Sequence, residues 1–248
     1  MAGDDGSHSN LPVATHSADL YNTLFARLKS SCHQEWLQPS AADRSLILGG
    51  TTMDTKSGSN AIRYVGIREA ADKLRQADRI LVIGCSGGGK STLSQKIARR
   101  FGLGYISIDR DVLWLPGWVQ REKGEQLRLI RELIAQDRWI MDGTNTSTFD
   151  IRVPRSDLVI WVHMPRLLCV WGILSRWARN RGGTRPEMAP GCPEKIDFDF
   201  FRFVWTWERV YGPRVLAGLE KYAGDRPVLV LKSRRQVRDL LDLVGAGA

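Results

Sequence analysis

Residues 79–92 read RILVIGCSGGGKST, and this stretch decides the fold. Its first part, residues 79–83, is an apolar run rich in β-branched side chains, which is typical of a buried parallel strand. Its second part, residues 84–91, matches the phosphate-loop pattern G-x-x-x-x-G-K-[ST]. Apolar residues then recur at four-residue steps before a glycine, as in an amphipathic helix with a glycine cap (Leu93, Ile97, Phe101 and Gly102). Strand, loop and helix therefore follow in the order that the pattern requires.

The glycines and the lysine of this loop predict a site for nucleotide phosphates. Glycines allow successive backbone N–H groups to turn toward an anion, and the start of the next helix adds partial positive charge. Lys90 is expected to neutralise the β and γ oxygens as a catalytic residue, and the Ser91 hydroxyl to coordinate Mg²⁺. A glycine-rich turn with an accidental Gly-Lys-Ser is the competing interpretation, which the flanking strand and helix disfavour. The predicted binding residues for the cofactors, ATP and Mg²⁺, are Gly84, Cys85, Ser86, Gly87, Gly88, Gly89, Lys90, Ser91 and Thr92.

Four further apolar runs alternate with helix-like segments along the chain. They occupy residues 105–108, 139–141, 158–162 and 228–231. Such alternation predicts an α/β fold in which a five-stranded parallel sheet is flanked by helices with right-handed crossovers.

A long insertion separates the fourth and fifth predicted strands. Residues 166–181 are predicted to be helical, and residues 196–222 form a second, aromatic-rich helical region interrupted at Gly212-Pro213. Between them, residues 182–193 are rich in Gly and Pro. We expect this part of the chain, about residues 176–195, to form a mobile lid.

Carboxylates follow the second and third predicted strands. Because ligands of open α/β folds bind at the carboxyl ends of the strands, either Asp109 or Asp111 is expected to face the γ-phosphate. We predict Asp109 as the catalytic and substrate-binding residue because it directly follows the apolar run, with helix N-capping by either residue as the alternative. Asp142 ends the next run and is expected to hold a Mg²⁺-bound water, with a simple Asp-Gly turn as the alternative.

Basic residues cluster around the start of the predicted lid, at Arg176, Arg179, Arg181 and Arg185. Guanidinium groups on a closing lid can meet the charge of a transferring phosphoryl group while excluding water. Arg176 and Arg179 are therefore predicted to be catalytic, with a solvated basic face as the alternative.

Other aromatic and sulfur-containing residues carry weaker signals. Most tryptophans are expected to pack in the core or the lid, with base stacking as the alternative (Trp114, Trp118, Trp205 and Trp207). His163 is interpreted as structural because it lacks partners for a metal site. The four cysteines have no Cys-x-x-Cys pair and are expected to be reduced thiols. Cys85 is expected to supply backbone amides, although a thiol near a helix N-terminus can also acquire a lowered pKa.

Composition excludes several classes of protein. The chain has 248 residues, of which 43% are hydrophobic and 25% are charged, as in ordinary globular proteins. Apolar runs fall short of the roughly 18–20 residues of a membrane span, and the N-terminus lacks a secretory pattern, so we expect a cytoplasmic protein with no membrane partner.

Residues 1–60 are rich in Ser, Thr, Gly and Asn and are predicted to be a poorly ordered extension of a domain at residues 61–248.

Positive charge is concentrated outside the first 60 residues. The net charge is +9, and residues 1–60 hold four basic and six acidic side chains, which leaves 32 basic and 21 acidic ones elsewhere. A basic body suits polyanionic ligands, which include both nucleotide phosphates and nucleic acid.

These residues together resemble the adenylate-kinase-related proteins known as DNA topology modulation proteins, over about residues 79–235. The resemblance implies a P-loop NTPase of the nucleoside-monophosphate-kinase-like fold, with strand order 2-3-1-4-5, ATP as donor and Mg²⁺ as cofactor. It also implies that Arg152 lies where related kinases bring basic groups to the acceptor, so the predicted substrate-binding residues are Asp109, Trp114 and Arg152. The residues that carry it are 84–92, Asp109, Trp114-Leu115-Pro116-Gly117-Trp118, Asp142-Gly143, Arg152, Asp157, Pro165-Arg166 and Gly191-Cys192-Pro193-Glu194. His163 is a departure, since kinases of this type often carry Asp there.

Three functions fit the sequence. The first is an ATP-dependent kinase that moves the γ-phosphoryl group to a small acceptor such as a nucleotide or nucleoside. The alternative is a nucleic-acid-associated ATPase or regulator, which the charge favours and the lack of a recognisable nucleic-acid-binding motif disfavours. The third is a nucleotide-binding protein without phosphoryl transfer. A GTPase is disfavoured because the chain has no Asn-Lys-x-Asp element for guanine.

Overall fold

A five-stranded parallel sheet forms the centre of the protein. The structure is a computed structural model, and it describes residues 61–180, 182–195 and 197–247. The predicted N-terminal extension, residues 1–60, and Arg181 of the arginine cluster lie outside the described residues. The strands are β1 (Arg79–Gly84), β2 (Gly104–Ser107), β3 (Trp114–Leu115), β4 (Val119–Gln120), β5 (Trp139–Asp142), β6 (Leu158–Val162) and β7 (Val228–Leu231).

Helices occupy the segments between the strands and pack around the sheet. The helix α8 packs against α1 and α2, whereas α7 packs against α4 and α6, and α5 packs against α6. The helices are α1 (Ile67–Leu74), α2 (Lys90–Phe101), α3 (Lys123–Ala135), α4 (Phe149–Arg152), α5 (Arg166–Arg179), α6 (Phe198–Val210), α7 (Gly212–Tyr222) and α8 (Arg234–Leu243). None of the helices among the described residues is long and apolar enough to cross a membrane.

The order of strands in the main sheet is β2-β5-β1-β6-β7, and all four pairings are parallel. Counting only these five strands, this is the predicted order 2-3-1-4-5, and the predicted α/β fold is confirmed. Every residue of β5 and β6 is buried, as are all residues of β1 after Arg79. These strands read as unbroken apolar runs because helices cover both faces of a parallel sheet.

The register of the strands brings the predicted site to one edge of the sheet. Asp142 of β5 pairs with Val82 of β1 and with Ser107 of β2. Gly84, where the phosphate loop (residues 84–92) begins, pairs with Val162 of β6. Parallel strands end at the same edge, so the loop, the end of β2 and Asp142 lie together.

The segment after β2 differs from the prediction. The strand ends at Ser107 rather than at residue 108, and Ile108–Leu113 form a π-helical segment. The side chain of Asp111 accepts a hydrogen bond from the Ser107 N–H at 2.8 Å and thereby stabilises this bend. The two-stranded hairpin β3–β4 follows and was not predicted; its turn has positive φ at both Gly117 and Trp118.

Helix α8 was also missed by the sequence analysis. It follows β7, and the side chain of Ser233 caps it by accepting a hydrogen bond from the Gln236 N–H at 3.2 Å. The serine cap before an amphipathic segment is the signal that could have identified it.

Candidate active site

The phosphate loop presents an open helix N-terminus at the edge of the sheet. Strand β1 ends at Gly84 and α2 begins at Lys90, with Gly89 as a cap residue that has no side chain to occupy the first amides of the helix. Free N–H groups and the helix dipole at this position favour an anion. The Lys90 Nζ donates a hydrogen bond to the Cys85 carbonyl oxygen at 2.9 Å, so its ammonium group lies across the loop. Ser91 is half-buried and Thr92 is exposed on the first turn of α2.

The loop packs directly on the backbone of α5 through two glycines. A Cβ atom on Gly87 would lie 2.1 Å from the Cys169 carbonyl oxygen, and one on Gly172 would lie 2.1 Å from the Gly87 carbonyl oxygen. Any side chain at either position would displace the loop from the helix. Gly172 was missed by the sequence analysis because no motif marks it; only its place opposite the loop gives it a function.

Asp142 and Ser91 meet across the start of α2. The Ser91 Oγ donates to Asp142 Oδ2 at 2.5 Å, and the Tyr105 hydroxyl lies 3.4 Å from the same oxygen. Asp142 is only 5% exposed, and its other oxygen, Oδ1, is buried without a hydrogen-bond partner. Burial raises the pKa of Asp142, while Lys90 and the Ser91 hydrogen bond act in the opposite direction. A buried carboxylate with one oxygen that has no hydrogen-bond partner, called the vacant oxygen below, is suited to bind a cation or a water molecule bound to that cation.

These residues fit the Mg²⁺ that the phosphate-loop pattern implies. A hydroxyl and a carboxylate are oxygen ligands of the kind that Mg²⁺ prefers. Among the described residues, no group of three or more His, Cys, Asp or Glu side chains is arranged to hold a metal. An ion held by Ser91 and Asp142 would therefore complete its shell with phosphate oxygens and water.

Thr144 ties the loop after β5 to the phosphate loop. Its Oγ1 donates to the Gly84 carbonyl oxygen at 2.7 Å and accepts from the Gly84 N–H at 2.9 Å. Thr144 lies two positions after Asp142, so these bonds fix the position of the phosphate loop relative to Asp142. The sequence analysis missed this residue.

The predicted role of Arg152 in acceptor binding is corrected by its surroundings. Arg152 is fully buried, and its guanidinium donates to a series of oxygen atoms around the loop after β5. Burial lowers the pKa of Arg152 to about 9. Its acceptors are Gly143 O, Thr144 O, Asn145 O and Thr148 Oγ1, at 2.6–2.8 Å. The remaining N–H is directed at Met141 Sδ at 3.9 Å. Arg152 therefore braces the loop that carries Asp142 and Thr144, and its guanidinium is not available to bind a phosphoryl acceptor.

Asp109 and Asp111 have different environments. Asp111 accepts from the Ser107 N–H and forms an ion pair with Arg110 at 2.6 Å, so its carboxylate is used within the π-helical segment. Asp109 is exposed; its charge adds to the effect of burial in raising the pKa of Asp142 and partly opposes the lowering of the Arg176 pKa by burial. The exposed carboxylate of Asp109 is therefore close enough to both Asp142 and Arg176 for its charge to act on them.

The lid segment (residues 176–195) lies against the hairpin β3–β4. The Cys192 Sγ donates to the Leu115 carbonyl oxygen and accepts from the Trp118 N–H, both at 3.3 Å. The Gly117 N–H donates to the Gly191 carbonyl oxygen at 3.1 Å. The thiol of Cys192, which is 1% exposed, therefore replaces a backbone group in joining the two segments.

A small hydrophobic cluster supports this contact. Met188, Ala189 and Cys192 are buried, and the rings of Trp114 and Trp118 pack against them. The two rings meet edge to face with centroids 5.4 Å apart. Trp114, predicted to bind the acceptor, is half-buried at the junction of hairpin and lid.

Two of the predicted lid arginines converge on one buried carboxylate. Arg176 Nε donates to Glu194 Oε1 at 2.7 Å, and Arg185 Nε donates to Glu194 Oε2. The Glu194 side chain is 4% exposed. Burial lowers the pKa of Arg176, and Glu194 and Asp109 partly offset this effect. Arg179 is not part of the group: it is exposed, and its Nε donates to the Ser175 carbonyl oxygen of its own helix at 3.2 Å.

The remaining predicted residues have structural contacts. The Cys85 thiol is buried beside that of Cys169, and this contact together with burial raises the pKa of Cys85, opposite to what a reactive thiolate requires. His163 Nε2 lies 2.8 Å from Glu208 Oε1, and its ring stacks on Trp161. Trp207 is buried, and Trp205 lies under the guanidinium of Arg166.

The sheet order and the loop together define an α/β fold of the phosphate-loop class. No family model matches this chain, and no curated protein is significantly similar to it. One solved structure with a related arrangement is shikimate kinase from Acinetobacter baumannii in complex with shikimate. It has 14% sequence identity and a TM-score of 0.40, and the match covers 71% of this chain and 97% of that chain. Another is deoxyadenosine kinase from M. mycoides with bound dCTP, with 14% identity, a TM-score of 0.34, and coverage of 68% of this chain and 99% of that chain. Similarity at this level does not extend to activity.

Proposed function

We propose that this chain is an ATP-dependent phosphotransferase that moves the γ-phosphoryl group of ATP to a small acceptor. The observation that carries the proposal is the phosphate loop with the contact between Ser91 and Asp142 at its side. The proposal is supported by a helix N-terminus without a side-chain cap, by the Lys90 ammonium and by a buried carboxylate with one unpaired oxygen, which suit nucleotide phosphates and their cation. The adenylate-kinase-like class and the resemblance to topology modulation proteins remain predictions.

In this proposal the phosphates are bound by the backbone N–H groups of the loop and by the ammonium group of Lys90. The amides of residues 86, 87 and 89–91 would bind the phosphate oxygens, whereas the Gly88 N–H already donates to the Cys85 carbonyl oxygen at 3.3 Å. Lys90 would exchange its bond with the same carbonyl for the β and γ oxygens. When bound, Mg²⁺ neutralises charge on those oxygens. Ser91 and Asp142 would hold it, directly or through water.

Asp109 is the proposed acceptor-side residue. In the transfer, the acceptor oxygen forms a bond to the γ-phosphorus, the bond to the bridging oxygen breaks, and ADP leaves. If the acceptor is a hydroxyl, its proton must go to a base, and Asp109 is the free carboxylate at this place. If the acceptor is a phosphate, it is already ionised and needs no base.

Arg176 and Arg185 are the proposed groups that meet the transferring charge from the lid. Both guanidiniums are largely buried and are held by Glu194, so they are ordered before the reaction begins. Preorganised donors of this kind stabilise a transition state more than mobile ones do. Arg179 is omitted from the proposal because it is exposed and bonded to its own helix.

A screen of acceptors tests the proposed function. The full chain would be incubated with Mg²⁺ and ATP and with nucleosides, nucleoside monophosphates and small polyols, and ADP release would be followed together with the mass of the product. We expect at least one compound to raise ADP release far above background hydrolysis and to gain one phosphoryl group. Normal ATP binding with no response to any compound would overturn the proposal.

Asp109→Asn then distinguishes the two kinds of acceptor, with Asp111→Asn as the matched control. For a hydroxyl acceptor we expect Asp109→Asn to lower kcat by about 10²–10⁴-fold, whereas a phosphate acceptor should show little change. Asp111→Asn should have a small effect in both cases, because that carboxylate serves Ser107 and Arg110.

The positive charge of the chain supports a second candidate, a nucleic-acid-associated ATPase. Outside residues 1–60 the chain holds 32 basic and 21 acidic side chains. Binding to DNA would be measured across a salt series, since phosphate contacts make affinity fall steeply with salt. No binding at low salt would eliminate this candidate.

A further inference from the structure

The outward face of α5 is apolar, although it is exposed. Leu167 is 66% exposed, Trp171 is 62% exposed and Leu174 is 40% exposed. The opposite face of the helix is buried in the protein through Cys169 and Ile173. A helix that is apolar on both faces is normally buried on both. We call the outward residues the α5 stripe; they are Leu167, Trp171, Leu174 and Ala178.

Another surface helix of the same chain shows the usual alternative. The outward face of α3 carries an ion-pair ladder in which Arg128 contacts Glu125 at 2.7 Å and also Glu132. By contrast, α5 has no charged residue between positions 166 and 176. The α5 stripe is therefore a local departure from the surface pattern and calls for a partner.

The spacing of the stripe indicates what that partner is. Its residues recur at steps of four, three and four, which is the a/d spacing with which two helices pack side by side. Around a two-fold axis between Trp171 and Leu174, each large residue faces a smaller one: Trp171 faces Leu174, and Leu167 faces Ala178. An isologous interface requires such self-complementarity. We propose that the α5 stripe binds the α5 stripe of a second copy of this chain, with the two helices antiparallel.

The available apolar area matches what a stable dimer needs. Phe198 and Trp205 of α6 are 74% and 39% exposed, and Trp205 adjoins the start of α5, where the Arg166 guanidinium lies 4.6 Å from its ring centroid. Since a buried aromatic contributes about 150–250 Å², these residues and the stripe offer on the order of 500–600 Å² of apolar surface. A standard interface buries about 800 Å² per partner, of which roughly 55–65% is apolar. The exposed apolar area is therefore about as large as the apolar part of a standard interface.

The interface would lie behind the phosphate loop and would not enter it. Gly172, which contacts Gly87 of the loop, faces away from the stripe on the inner side of the same helix. The dimer would therefore brace the helix on which the loop rests. The proposal does not depend on any enzymatic activity.

Sedimentation velocity of the full chain across a range of concentrations tests the proposal. We expect a concentration-dependent dimer. Leu174→Glu and Leu167→Glu should each weaken dimerisation by about 10-fold or more, because each places two charges in the interface, one from each copy. Leu216→Glu is the matched control, since Leu216 on α7 is 38% exposed, as Leu174 is 40% exposed, but lies outside the stripe. The control should dimerise like the wild type, and circular dichroism should show that all variants are folded.

Cross-linking tests the antiparallel register. A mixture of Trp171→Cys and Leu174→Cys chains should form a disulfide between copies faster than either variant alone. A wild type that remains monomeric at high concentration would overturn the proposal, whether or not it binds lipid vesicles or another molecule. So would a dimer that Leu174→Glu and Leu216→Glu affect equally.

Discussion

The phosphate loop and the lid segment, which we propose to be two halves of one site, are held by different kinds of contact. The loop is fixed by backbone: its ends continue β1 and α2, Thr144 bonds both polar groups of Gly84, and Gly87 lies directly on α5. The lid segment is fixed by a few side chains, of which Glu194 and Cys192 are central. Both side chains are buried, but contacts of the second kind depend on single residues, so we expect the lid segment to open more easily than the loop.

This difference separates what the two halves can determine. A loop built from backbone amides recognises phosphate, which is common to all nucleotides, and therefore sets the class of reaction. The lid, the hairpin and the π-helical segment before it add side chains of particular shape and charge, such as Arg176, Trp114 and Asp109. If the chain is a phosphotransferase as proposed, we expect the second half to determine which acceptor it uses.

The largest effect is expected from Lys90→Ala in the loop. Removing the only side-chain charge inside the loop should lower kcat/KM for ATP by about 10²–10³-fold, because that charge is aimed at developing negative charge. The matched control is Lys96→Ala on the same helix, whose Nζ donates to the Gly247 carbonyl oxygen at 3.1 Å, far from the loop. Isothermal titration and steady-state rates would measure both. Equal behaviour of the two variants would contradict the assignment of the loop.

A smaller effect is expected from Glu194→Gln in the lid segment. Glutamine keeps the shape but removes the charge that holds Arg176 and Arg185 together, so both guanidiniums should lose their fixed positions. We expect kcat to fall by about 10–100-fold with a much smaller change in KM for ATP, since the loop is intact. Glu187→Gln serves as the control. Glu187 lies in the same segment, but its closest approach to Arg185 is 3.9 Å, which is too long for a hydrogen bond. A change in KM alone would mean that the arginines contribute to binding and not to transfer.

The same division explains how much the sequence could predict. The loop and the five strands followed from local patterns, since a run of β-branched residues before a glycine motif has few alternative folds. The order of the strands was expected only from the resemblance to adenylate-kinase-related proteins. The partners of Cys192 and Glu194 could not be derived in this way. Cys192 meets Trp118, which is 74 positions away, through a hairpin that has only two residues in each strand. Arg152 was misinterpreted for a related reason: an arginine near a site looks functional in sequence, and only burial shows that its donors bind carbonyl oxygens.

A still smaller effect is expected from Cys192→Ala, which would loosen the lid from the hairpin. Alanine removes the acceptor of the Trp118 N–H, a loss comparable to one hydrogen bond, so amide exchange at Trp118 should become about 2–10-fold faster. Cys192→Ser, which keeps a donor and an acceptor, should restore slow exchange. Hydrogen exchange followed by mass spectrometry would measure both variants. Equal protection in wild type and Cys192→Ala would show that the tryptophan cluster holds the lid without the thiol.

The smallest effect is expected from Asp142→Asn, which should raise the stability of the protein without ligand. Burial raises the pKa of Asp142 above its ordinary value of 3.8, so the folded protein favours the protonated carboxyl group. The stability that this proton provides is fully present below the ordinary pKa and is lost as the pH rises through the raised one. Above the ordinary pKa, burial of Asp142 therefore costs the wild type without ligand free energy, whether the carboxylate is desolvated or takes up a proton, and Asp142→Asn removes that cost.

Thermal unfolding without nucleotide should accordingly show Asp142→Asn to be more stable than the wild type at pH 7, by about 2–4 °C. The difference should shrink as the pH falls toward 4. Asp157→Asn is the control, because the Asp157 carboxylate is exposed and already accepts from the N–H groups of Asp78 and Arg79. Addition of Mg²⁺ and ATP should reverse the order, since a bound cation stabilises only the chain that keeps the charge. A wild type that is more stable than Asp142→Asn at pH 7 without ligand would mean that Asp142 is already satisfied, and the vacant oxygen would no longer indicate a cation site.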